Sequence, residues 1–314
     1  MSRLLRTMLY VPANSWRMIT NATAEGADAL ILDLEDGCPM PEKETGRVFA
    51  RDSIPMLIKH EVSVFVRVNS LETGLTEVDL NYTVVQGLDG VMLAKTESAE
   101  DIIKTDKLLQ IEEKEKGLQP NSVCLIALIE TPKGILNIRE IIDANPRVIG
   151  VGFGAGDFSR EMGAGMGVTK LSPEDYFPMI LHARSSMAMA ARAAGVQAID
   201  TPFFGLVIDL EGLAAEAQKV KLLGFSGKQL THPRHVAVVN EIFSPAKDDV
   251  EFAKKVVDAY EKARAKGLGA TTIGGRMIDY GSFKRAESLL SYAAAIDARA
   301  GRKKEAPTQN TEDI

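Results

Sequence analysis

Eight short apolar runs, separated by longer amphipathic stretches, are the feature that most limits how this chain can fold. The runs show little polar alternation, which is typical of parallel strands buried on both faces. They are Met8–Val11, Ala29–Leu34, Val64–Val68, Gly90–Leu93, Cys124–Ile129, Val148–Val151, Gln197–Ile199 and a weaker eighth, Gly227–Leu230. Helical stretches between them include Glu42–Ile58, Ala99–Glu115, Gly134–Ala144, Pro178–Ala194 and Leu210–Leu223.

This order of elements predicts an α/β fold of the (β/α)8 TIM-barrel class over residues 1–245, which we take as a catalytic domain. The structural alternative is an open, doubly wound sheet. Such a sheet usually carries a glycine-rich dinucleotide loop after its first strand. Here the first run is followed by Pro12-Ala13-Asn14-Ser15, so the sequence favours the barrel.

The pattern becomes helical after Pro245. Lys247–Lys266 and Ser282–Arg299 read as helices, and the glycines clustered between them predict a flexed loop. We therefore predict a C-terminal helical lid or oligomerisation segment over residues 246–300. Residues 301–314 are polar and lack an apolar face, and we predict that this tail is disordered.

Composition narrows the function classes. The chain has 314 residues, with 37 basic and 43 acidic side chains, a net charge of −6 that disfavours nucleic acid as a partner. It contains two cysteines, Cys38 and Cys124, which argues against a disulfide framework. No apolar run approaches the roughly 20 residues that a membrane span needs. We expect a cytoplasmic enzyme that binds neither nucleic acid nor a membrane.

Polar residues follow most of the apolar runs, and the active site of a barrel lies at the carboxyl ends of its strands. In chain order they are Asn14, Asp33 with Glu35 and Asp36, Arg67, Lys95, Glu130, Asp157, and Asp200. Each one alone is also what a solvated strand end would show. Their agreement across units predicts a site at this rim.

Glu130 and Asp157 are the candidate metal ligands. Paired carboxylates, completed by water and substrate oxygens, suit Mg²⁺. No histidine–cysteine motif is present to hold zinc. The alternative is that both carboxylates form salt bridges with Arg67 or Lys95.

Arg67 would offer a permanent charge and a forked donor to a substrate carboxylate or a developing alkoxide. A structural ion pair with Asp33 or Glu35 is an equal alternative. Asp33, Glu35 and Asp36 cannot all be buried, charged and unpaired. Some of them should therefore orient Arg67 or hold metal-bound waters.

The histidines give weaker evidence for a place in the site. His232 and His235 flank the end of the eighth run and could line the site, whereas His60 and His182 lie in helical patterns and are interpreted as bystanders.

Seven short motifs occur in one order along the chain. They are Leu9-Tyr10-Val11-Pro12, Asp33-Leu34-Glu35-Asp36, Arg67-Val68-Asn69, Glu130-Thr131-Pro132, Gly154-Ala155-Gly156-Asp157-Phe158, Gly227-Lys228 with His232-Pro233, and Gly275-Arg276-Met277-Ile278-Asp279. Taken together, they resemble the citrate lyase β-subunit (CitE-like) family of the HpcH/HpaI aldolase superfamily, whose members include malyl-CoA and citramalyl-CoA lyases. The likeness extends over about residues 4–299.

The resemblance implies a homotrimer of barrels with C-terminal lids. It implies Mg²⁺ bound by Glu130 and Asp157, and a 2-keto acid bound by Arg67. It also implies that Asp279 serves a neighbouring subunit's site as general acid/base, a role that its own position, a surface acid on a loop, does not indicate. Our candidate catalytic residues are Asp279, Arg67, Glu35 and Asp36, and our candidate substrate-binding residues are Arg67, Glu130 and Asn14.

The implied reaction is reversible, Claisen-type cleavage of a 3-hydroxy-3-carboxyacyl-CoA, of the citramalyl-CoA or malyl-CoA type, to acetyl-CoA and a 2-keto acid. Two stretches, Ala13-Asn14 and Asp36-Gly37-Cys38-Pro39, depart from the family pattern near the substrate, so the acyl group stays open.

Three other functions stay open as well: a citrate lyase β subunit acting on a carrier-bound citryl group, a malyl-CoA thioesterase, and a non-catalytic scaffold. The last would leave the matched site residues without a purpose. Retention of Asp279 and of the C-terminal segment favours the stand-alone lyase, because the β subunit of a citrate lyase complex tends to be shorter there.

Overall fold

The computed structural model describes residues 3–163 and 173–305. The chain divides into two compact units: Leu5–Phe243, and a second that comprises Ser244–Ile314 with Met1–Leu4. Within the described ranges, no helix is both long enough and apolar enough to cross a membrane.

In the described part of the first unit, eight parallel strands close into a barrel in chain order, which confirms the predicted (β/α)8 TIM barrel. The strands are β1 (Thr7–Pro12), β2 (Ala29–Asp33), β3 (Ser63–Val68), β4 (Gly90–Leu93), β5 (Cys124–Ile129), β6 (Val148–Phe153), β7 (Gln197–Asp200) and β8 (Gly227–Leu230). All eight predicted runs are strands.

Helices follow the strands around the barrel. They are α1 (Trp16–Ala22), α2 (Lys43–Leu57), α3 (Thr76–Thr83), α4 (Ala99–Glu115), α5 (Pro132–Leu136), α6 (Ile138–Asp143), α7 (Ala155–Glu161), α8 (Pro173–Ala194), α9 (Leu210–Leu223) and α10 (Val236–Phe243). The single helix predicted over Gly134–Ala144 is wrong. Asn137 divides it into α5 and α6, because its backbone leaves the helical region (φ −96°, ψ 7°) while its side chain donates to the carbonyl of Glu97.

Alternation along the strands decides which residues reach the mouth of the barrel. One buried cluster, which includes Ile31, Phe65 and Leu128, fills the interior, while a larger one packs between strands and helices. Side chains of a strand alternate between its two faces. Two residues further along the inward-facing series are Asp33, Arg67 and Glu130, whose side chains therefore meet at the carboxyl end of the barrel.

The second unit contains α11 (Lys247–Ala265), β9 (Thr271–Ile273), β10 (Arg276–Ile278) and α12 (Tyr280–Glu305). The two predicted helices are present, but the predicted flexed loop is an antiparallel hairpin. Gly274 and Gly275 form its turn with φ values of 54° and 80°. Positive φ at both central residues is what a type I′ turn requires, and the twist of this turn matches that of the flanking strands. The buried Ile278 anchors the hairpin in an apolar cluster with Tyr260 and Phe283.

The last helix is also longer than predicted. It continues to Glu305, so the first five residues of the predicted tail are helical. Residues 306–314 lie outside the described residues, and the prediction of disorder there is not tested.

Candidate active site

Arg67 is held at the barrel mouth by Asp33. The two residues are register partners on β3 and β2, so their side chains leave the sheet side by side. Arg67 donates from Nε to Asp33 Oδ1 at 2.7 Å and from Nη2 to Asp33 Oδ2 at 2.6 Å. Both side chains are at least nine-tenths buried. A paired, forked contact of this kind fixes the plane of the guanidinium as well as its position.

Glu35 forms a second ion pair with the same guanidinium. Its Oε2 lies 2.9 Å from Arg67 Nη1, and its Oε1 accepts from Lys95 Nζ at 2.8 Å. Burial opposes ionisation of Glu35, but Arg67 and Lys95 together hold its pKa below the ordinary value. The prediction that acids of this turn orient Arg67 is confirmed for Asp33 and Glu35.

These ion pairs leave donors on Arg67. A guanidinium carries five N–H groups. Asp33 takes one from Nε and one from Nη2, and Glu35 can take one from Nη1. Each terminal nitrogen therefore keeps an N–H for another acceptor. A structural pair and a substrate-binding role are compatible in this geometry.

Tyr10 forms the floor beneath Arg67, a contact that the sequence analysis did not identify. Its ring centroid lies 4.8 Å from Arg67 Cζ, and its hydroxyl donates to Gln229 Oε1 at 2.7 Å. Gln229 in turn donates to the Phe153 carbonyl at the end of β6. Burial raises the pKa of Tyr10, so the phenol stays neutral. The sequence signal that could have predicted this contact was the position of Tyr10, which faces the barrel interior on β1.

Lys95 joins Arg67's network to Glu130. Its main-chain N–H donates to Glu130 Oε2 at 2.9 Å, while its ammonium reaches Glu35. Lys95 has a φ of 50°, a left-handed conformation that is strained for a side chain larger than glycine. Strain of this kind persists where the surroundings enforce it, and it often lies at functional sites.

Glu130 is a buried carboxylate with one oxygen free of donors. The residue is 3% exposed, and within the described ranges Oε1 accepts no hydrogen bond. A Cβ added to Gly154 would lie 2.4 Å from that oxygen, so only glycine leaves room beside it. Burial raises the pKa of Glu130 to about 8, against the opposing effect of Arg67.

Asp157 is close enough to Glu130 to contribute to that rise in pKa. It lies in the first turn of α7 and pairs with Arg160 at 2.6 Å; the Arg160 side chain is 61% exposed. Neither Glu130 nor Asp157 forms a side-chain salt bridge with Arg67 or Lys95. The alternative that explained these two acids through such salt bridges is therefore wrong.

This donor set fits Mg²⁺. Glu130 supplies a desolvated carboxylate with a free oxygen, and Asp157 supplies a second whose exposed partner can be displaced at little cost. No group of three or more His, Cys, Asp or Glu side chains that could hold a metal occurs in the described residues. Mg²⁺ is commonly bound by one or two carboxylates plus water and substrate oxygens, whereas zinc sites use three or four protein ligands.

The remaining predicted residues of this rim are less deeply placed. Asp36 is exposed, and partial desolvation and the Glu35 carboxylate raise its pKa. Asn14 is half-buried in the turn before α1, where the adjacent Ser15 caps the helix. In the described residues, no hydrogen bond joins its side chain to Arg67 or Glu130.

Three predicted rim residues have structural contacts instead. Asp200 follows the inward-facing Ile199, so it points outward and is fully buried against Arg184 and Lys228. His235 is buried with its Nε2 3.1 Å from the Val207 carbonyl, and His232 accepts from the Arg234 N–H. These contacts account for both histidines without a part in the site.

Asp279 belongs to the second unit and caps α12. Its Oδ1 accepts from the N–H and the hydroxyl of Ser282, both at 2.8 Å. These hydrogen bonds hold the pKa of the half-buried Asp279 carboxyl below its ordinary value. A carboxylate is thus presented in its ionised form at the helix start.

Residues 6–233 match the family model described as HpcH/HpaI aldolase/citrate lyase. The chain belongs to this family. It is therefore a member of a family of lyases, in agreement with the resemblance of its motifs. The family match spans the barrel and includes Arg67, Glu130 and Asp157.

Curated relatives come from two branches of the HpcH/HpaI family. Citrate lyase subunit beta of Haemophilus influenzae is 36% identical, over 93% of this chain and 97% of its own length. L-malyl-CoA/beta-methylmalyl-CoA lyase of Cereibacter sphaeroides is 33% identical, over 93% of this chain and 96% of its own length. Because the citrate lyase relative matches 93% of this chain, retention of the C-terminal segment does not favour the stand-alone lyase over the β subunit, and that expectation is wrong.

Solved structures with related names are similar to this chain. Protein CitE from Mycobacterium tuberculosis, in complex with magnesium, acetoacetate and coenzyme A, is 29% identical with a TM-score of 0.72, over 92% of this chain and 98% of that one. A citrate lyase from Burkholderia xenovorans shares the fold with a TM-score of 0.81 at 18% identity, over 94% of this chain and 93% of that one.

Proposed function

We propose that this protein is a Mg²⁺-dependent carbon–carbon lyase that cleaves a 3-hydroxy-3-carboxyacyl-CoA, of the citramalyl-CoA or malyl-CoA type, to acetyl-CoA and a 2-keto acid. The observation that carries the proposal is the position of Arg67. Asp33 and Glu35 fix its guanidinium beside Glu130 with N–H groups still free. Donors held in this way stabilise charge that develops on a substrate oxygen.

In the cleavage direction the substrate hydroxyl releases its proton to water, and its oxygen becomes the keto oxygen. The bond between C2 and C3 breaks, and its electron pair passes to the acyl-CoA part as an enolate. Arg67 would donate to the oxygen or to the adjacent carboxylate through its free N–H groups. Glu35 and Asp33 would keep it in place, so no reorganisation is needed as charge moves.

Glu130 and Asp157 would hold the Mg²⁺ ion, whose chemistry there would be Lewis-acid polarisation of the substrate hydroxyl and its neighbouring carboxylate. Support comes from the buried, donor-free Oε1 of Glu130 and from the magnesium in the structure of the CitE relative. Lys95 would keep the other Glu130 oxygen in place through its main-chain N–H.

Asp279 is our candidate general acid/base. It would protonate the acetyl-CoA enolate after cleavage and abstract the same proton in the condensation direction. Its ionised state, held by Ser282, suits the condensation direction. Following the resemblance, we place Asp279 in the site of a neighbouring subunit of a homotrimer, with residues 246–300 as a lid.

A second candidate function has direct support from the relatives. The chain is 36% identical to a citrate lyase β subunit and 33% identical to a malyl-CoA lyase. A β subunit would act on a citryl group carried by an acyl carrier protein. The same Arg67 and Glu130 would serve both substrates, since the reacting carbons carry the same hydroxyl and carboxylate.

The test is product release from the purified protein, offered (S)-citramalyl-CoA and (S)-malyl-CoA separately, with Mg²⁺ or with EDTA. We expect acetyl-CoA with pyruvate or glyoxylate, lost in EDTA. Free CoA with the intact hydroxy acid would identify a thioesterase. No turnover of either thioester, but cleavage of citryl groups on a carrier protein, would identify the β-subunit function.

A further inference from the structure

Lys43, the first residue of α2, is a buried lysine whose ammonium contacts no carboxylate in the described residues. Its Nζ donates to the Leu34 carbonyl at 2.6 Å, the Glu35 carbonyl at 2.8 Å and Asn69 Oδ1 at 2.8 Å. The residue is 7% exposed. An ammonium has three N–H donors, so every one of them is used.

Burying the Lys43 ammonium without a carboxylate partner costs free energy, and its location indicates which part of the chain it stabilises. A buried charge is ordinarily paired with an opposite charge, because neutral acceptors replace only part of its hydration. Here the acceptors are two consecutive main-chain carbonyls immediately beyond β2. Both carbonyls must turn toward one point to reach Nζ. The ammonium therefore dictates the path of the chain between Asp33 and Asp36.

Asp33 holds the same turn from its other side. Its Oδ1 accepts from the Glu35 N–H and its Oδ2 from the Gly37 N–H, each at 2.9 Å. A Cβ at Gly37 would lie 2.4 Å from that Oδ2, which is why the turn needs glycine there. With its N–H on Asp33 and its carbonyl on Lys43, Glu35 has both peptide neighbours fixed. Its side chain then extends to Arg67 and Lys95.

Asn69 keeps the ammonium itself in place. Its side-chain nitrogen donates to Asp79 Oδ2 at 2.6 Å and to the Leu34 carbonyl at 3.0 Å. Asp79 is fully buried and also accepts from Arg47. The position of Nζ thus derives from a buried hydrogen-bond network on α2, α3 and the end of β3.

We propose that Lys43 is a positioning residue for the lyase reaction: by binding the Leu34 and Glu35 carbonyls it holds the Glu35 carboxylate between Arg67 and Lys95, and through Glu35 it sets the orientation of Arg67. This inference rests on the proposed function. It assigns Lys43 no contact with substrate. Loss of the ammonium would remove one donor from each of the Leu34 and Glu35 carbonyls, which keep bonds from Asn69 and Cys38, leave Asn69 Oδ1 without a donor, and release the Glu35 side chain.

The experiment compares Lys43→Met with Arg147→Met. Arg147 precedes β6 at the opposite end of the barrel, where its buried guanidinium pairs with Asp106 and Glu113. Both variants lose a buried cation and should melt at lower temperature. We expect kcat of Lys43→Met to fall about 10²-fold, since a misplaced catalytic group costs that much, with KM changed less than about threefold. Arg147→Met should keep kcat within about twofold of the parent.

A crystal structure of Lys43→Met gives a second result that does not depend on activity. We expect the contacts of 2.9 Å from Glu35 to Arg67 and 2.8 Å from Glu35 to Lys95 to be broken. If both contacts persist, or if kcat is unchanged while the melting temperature falls, the proposal is wrong. Should Lys43→Met not fold, Lys43→Gln serves in its place with the same criteria.

The same design separates this inference from the proposed function. A parent protein inactive toward both thioesters would count against the lyase assignment alone. The broken or intact Glu35 contacts in the variant would still decide whether Lys43 holds this turn.

Discussion

Two buried ionic clusters in the barrel differ in their charge balance. The wall cluster, between strands and helices, consists of Arg184, Asp200, Glu216 and Lys228. Its two acids and two bases contact each other at 2.6–3.4 Å, all at or below 7% side-chain exposure. The cations hold the pKa of Asp200 below its ordinary value. Each charge has its counterpart within the cluster, which is what a structural role requires.

The mouth cluster is unbalanced. It consists of Asp33, Glu35, Arg67, Lys95 and Glu130, with Asp157 and its exposed partner Arg160 beside it, so four carboxylates face three cations. Glu130 is as buried as the acids of the wall cluster, and this burial raises its pKa to about 8, since Arg67 opposes the rise only in part and no cationic side chain among the described residues forms a salt bridge with it. Asp200 and Glu130 are similarly buried, but their pKa values shift in opposite directions. Asp200 already has cationic partners, whereas Glu130 is available to a ligand. Once the exposed Arg160 is displaced from Asp157, a divalent cation would balance the two remaining negative charges.

The largest expected effect comes from removing one acid of each cluster. Glu130→Gln should abolish Mg²⁺ binding measured by calorimetry and lower the lyase rate by about 10³-fold or more, since several kcal/mol of charge stabilisation is lost. Glu216→Gln should instead cost about 3–5 kcal/mol of unfolding free energy, the usual effect of breaking a buried ion pair.

The folded fraction of Glu216→Gln should retain the parent kcat. Two results would contradict the distinction between a structural wall cluster and a ligand-binding mouth cluster. They are a Glu130→Gln protein that still binds Mg²⁺ at parental affinity and a Glu216→Gln protein with impaired kcat.

Asp279 permits a similar separation within one side chain, since it both caps α12 and is our candidate acid/base. Asp279→Ala and Asp279→Asn should each lower the rate by about 10²–10⁴-fold, because neither side chain transfers the proton. Only Asp279→Ala should also destabilise the protein, by about 1 kcal/mol, because asparagine is as good a cap as aspartate. Rates and melting curves of the pair check this. A rate that follows the cap and is normal in Asp279→Asn would exclude the acid/base role.

The pH dependence of Mg²⁺ binding should be smaller but specific. Below pH 8 the metal-free Glu130 carboxyl is mostly protonated, so Mg²⁺ must displace that proton. The apparent affinity, followed by calorimetry, should rise by up to about tenfold per pH unit between pH 6 and 7.5 and level off above pH 8. An affinity that is flat over this range would mean that Glu130 is not the ligand.

The stability of the metal-free protein should also depend on pH. The folded state binds a proton at Glu130 more tightly than the unfolded state does, because its pKa is raised from 4.5 to about 8. Its contribution is therefore fully favourable below pH 4.5 and is lost as pH rises toward 8. In EDTA, the melting temperature of Glu130→Gln relative to the parent should increase across that window. The Glu216→Gln protein should show no such trend.

The barrel and the residues at its mouth could be predicted from the sequence, because the apolar runs show both where the strands lie and where they end. Arg67 and Glu130 stand at two of these strand ends. Asp200 misled the same reasoning, because one step of alternation along β7 turns its side chain to the helices. The apolar run identified the end of β7 but not the face of the sheet to which the Asp200 side chain points.

The features that the sequence analysis missed depend on contacts made after folding. Lys43 begins an amphipathic helix and looks like a solvated charge; only the turn beyond β2 brings carbonyls to it. The Gly274-Gly275 pair suits a flexible loop and a hairpin turn equally, and the burial of Ile278 decides between them. Asn137 ends α5 because the Glu97 carbonyl, 40 residues away, accepts from its side chain.

Gly154 offers one further use. The absence of its side chain is what leaves Glu130 Oε1 accessible, since a methyl group there would lie 2.4 Å from that oxygen. Alanine at this position would displace the carboxylate without adding, removing or reversing any charge. The barrel therefore offers a steric route to a protein with a displaced metal ligand that keeps every charged group of the parent. Such a protein would serve as the blank against which every charge substitution at the mouth could be compared.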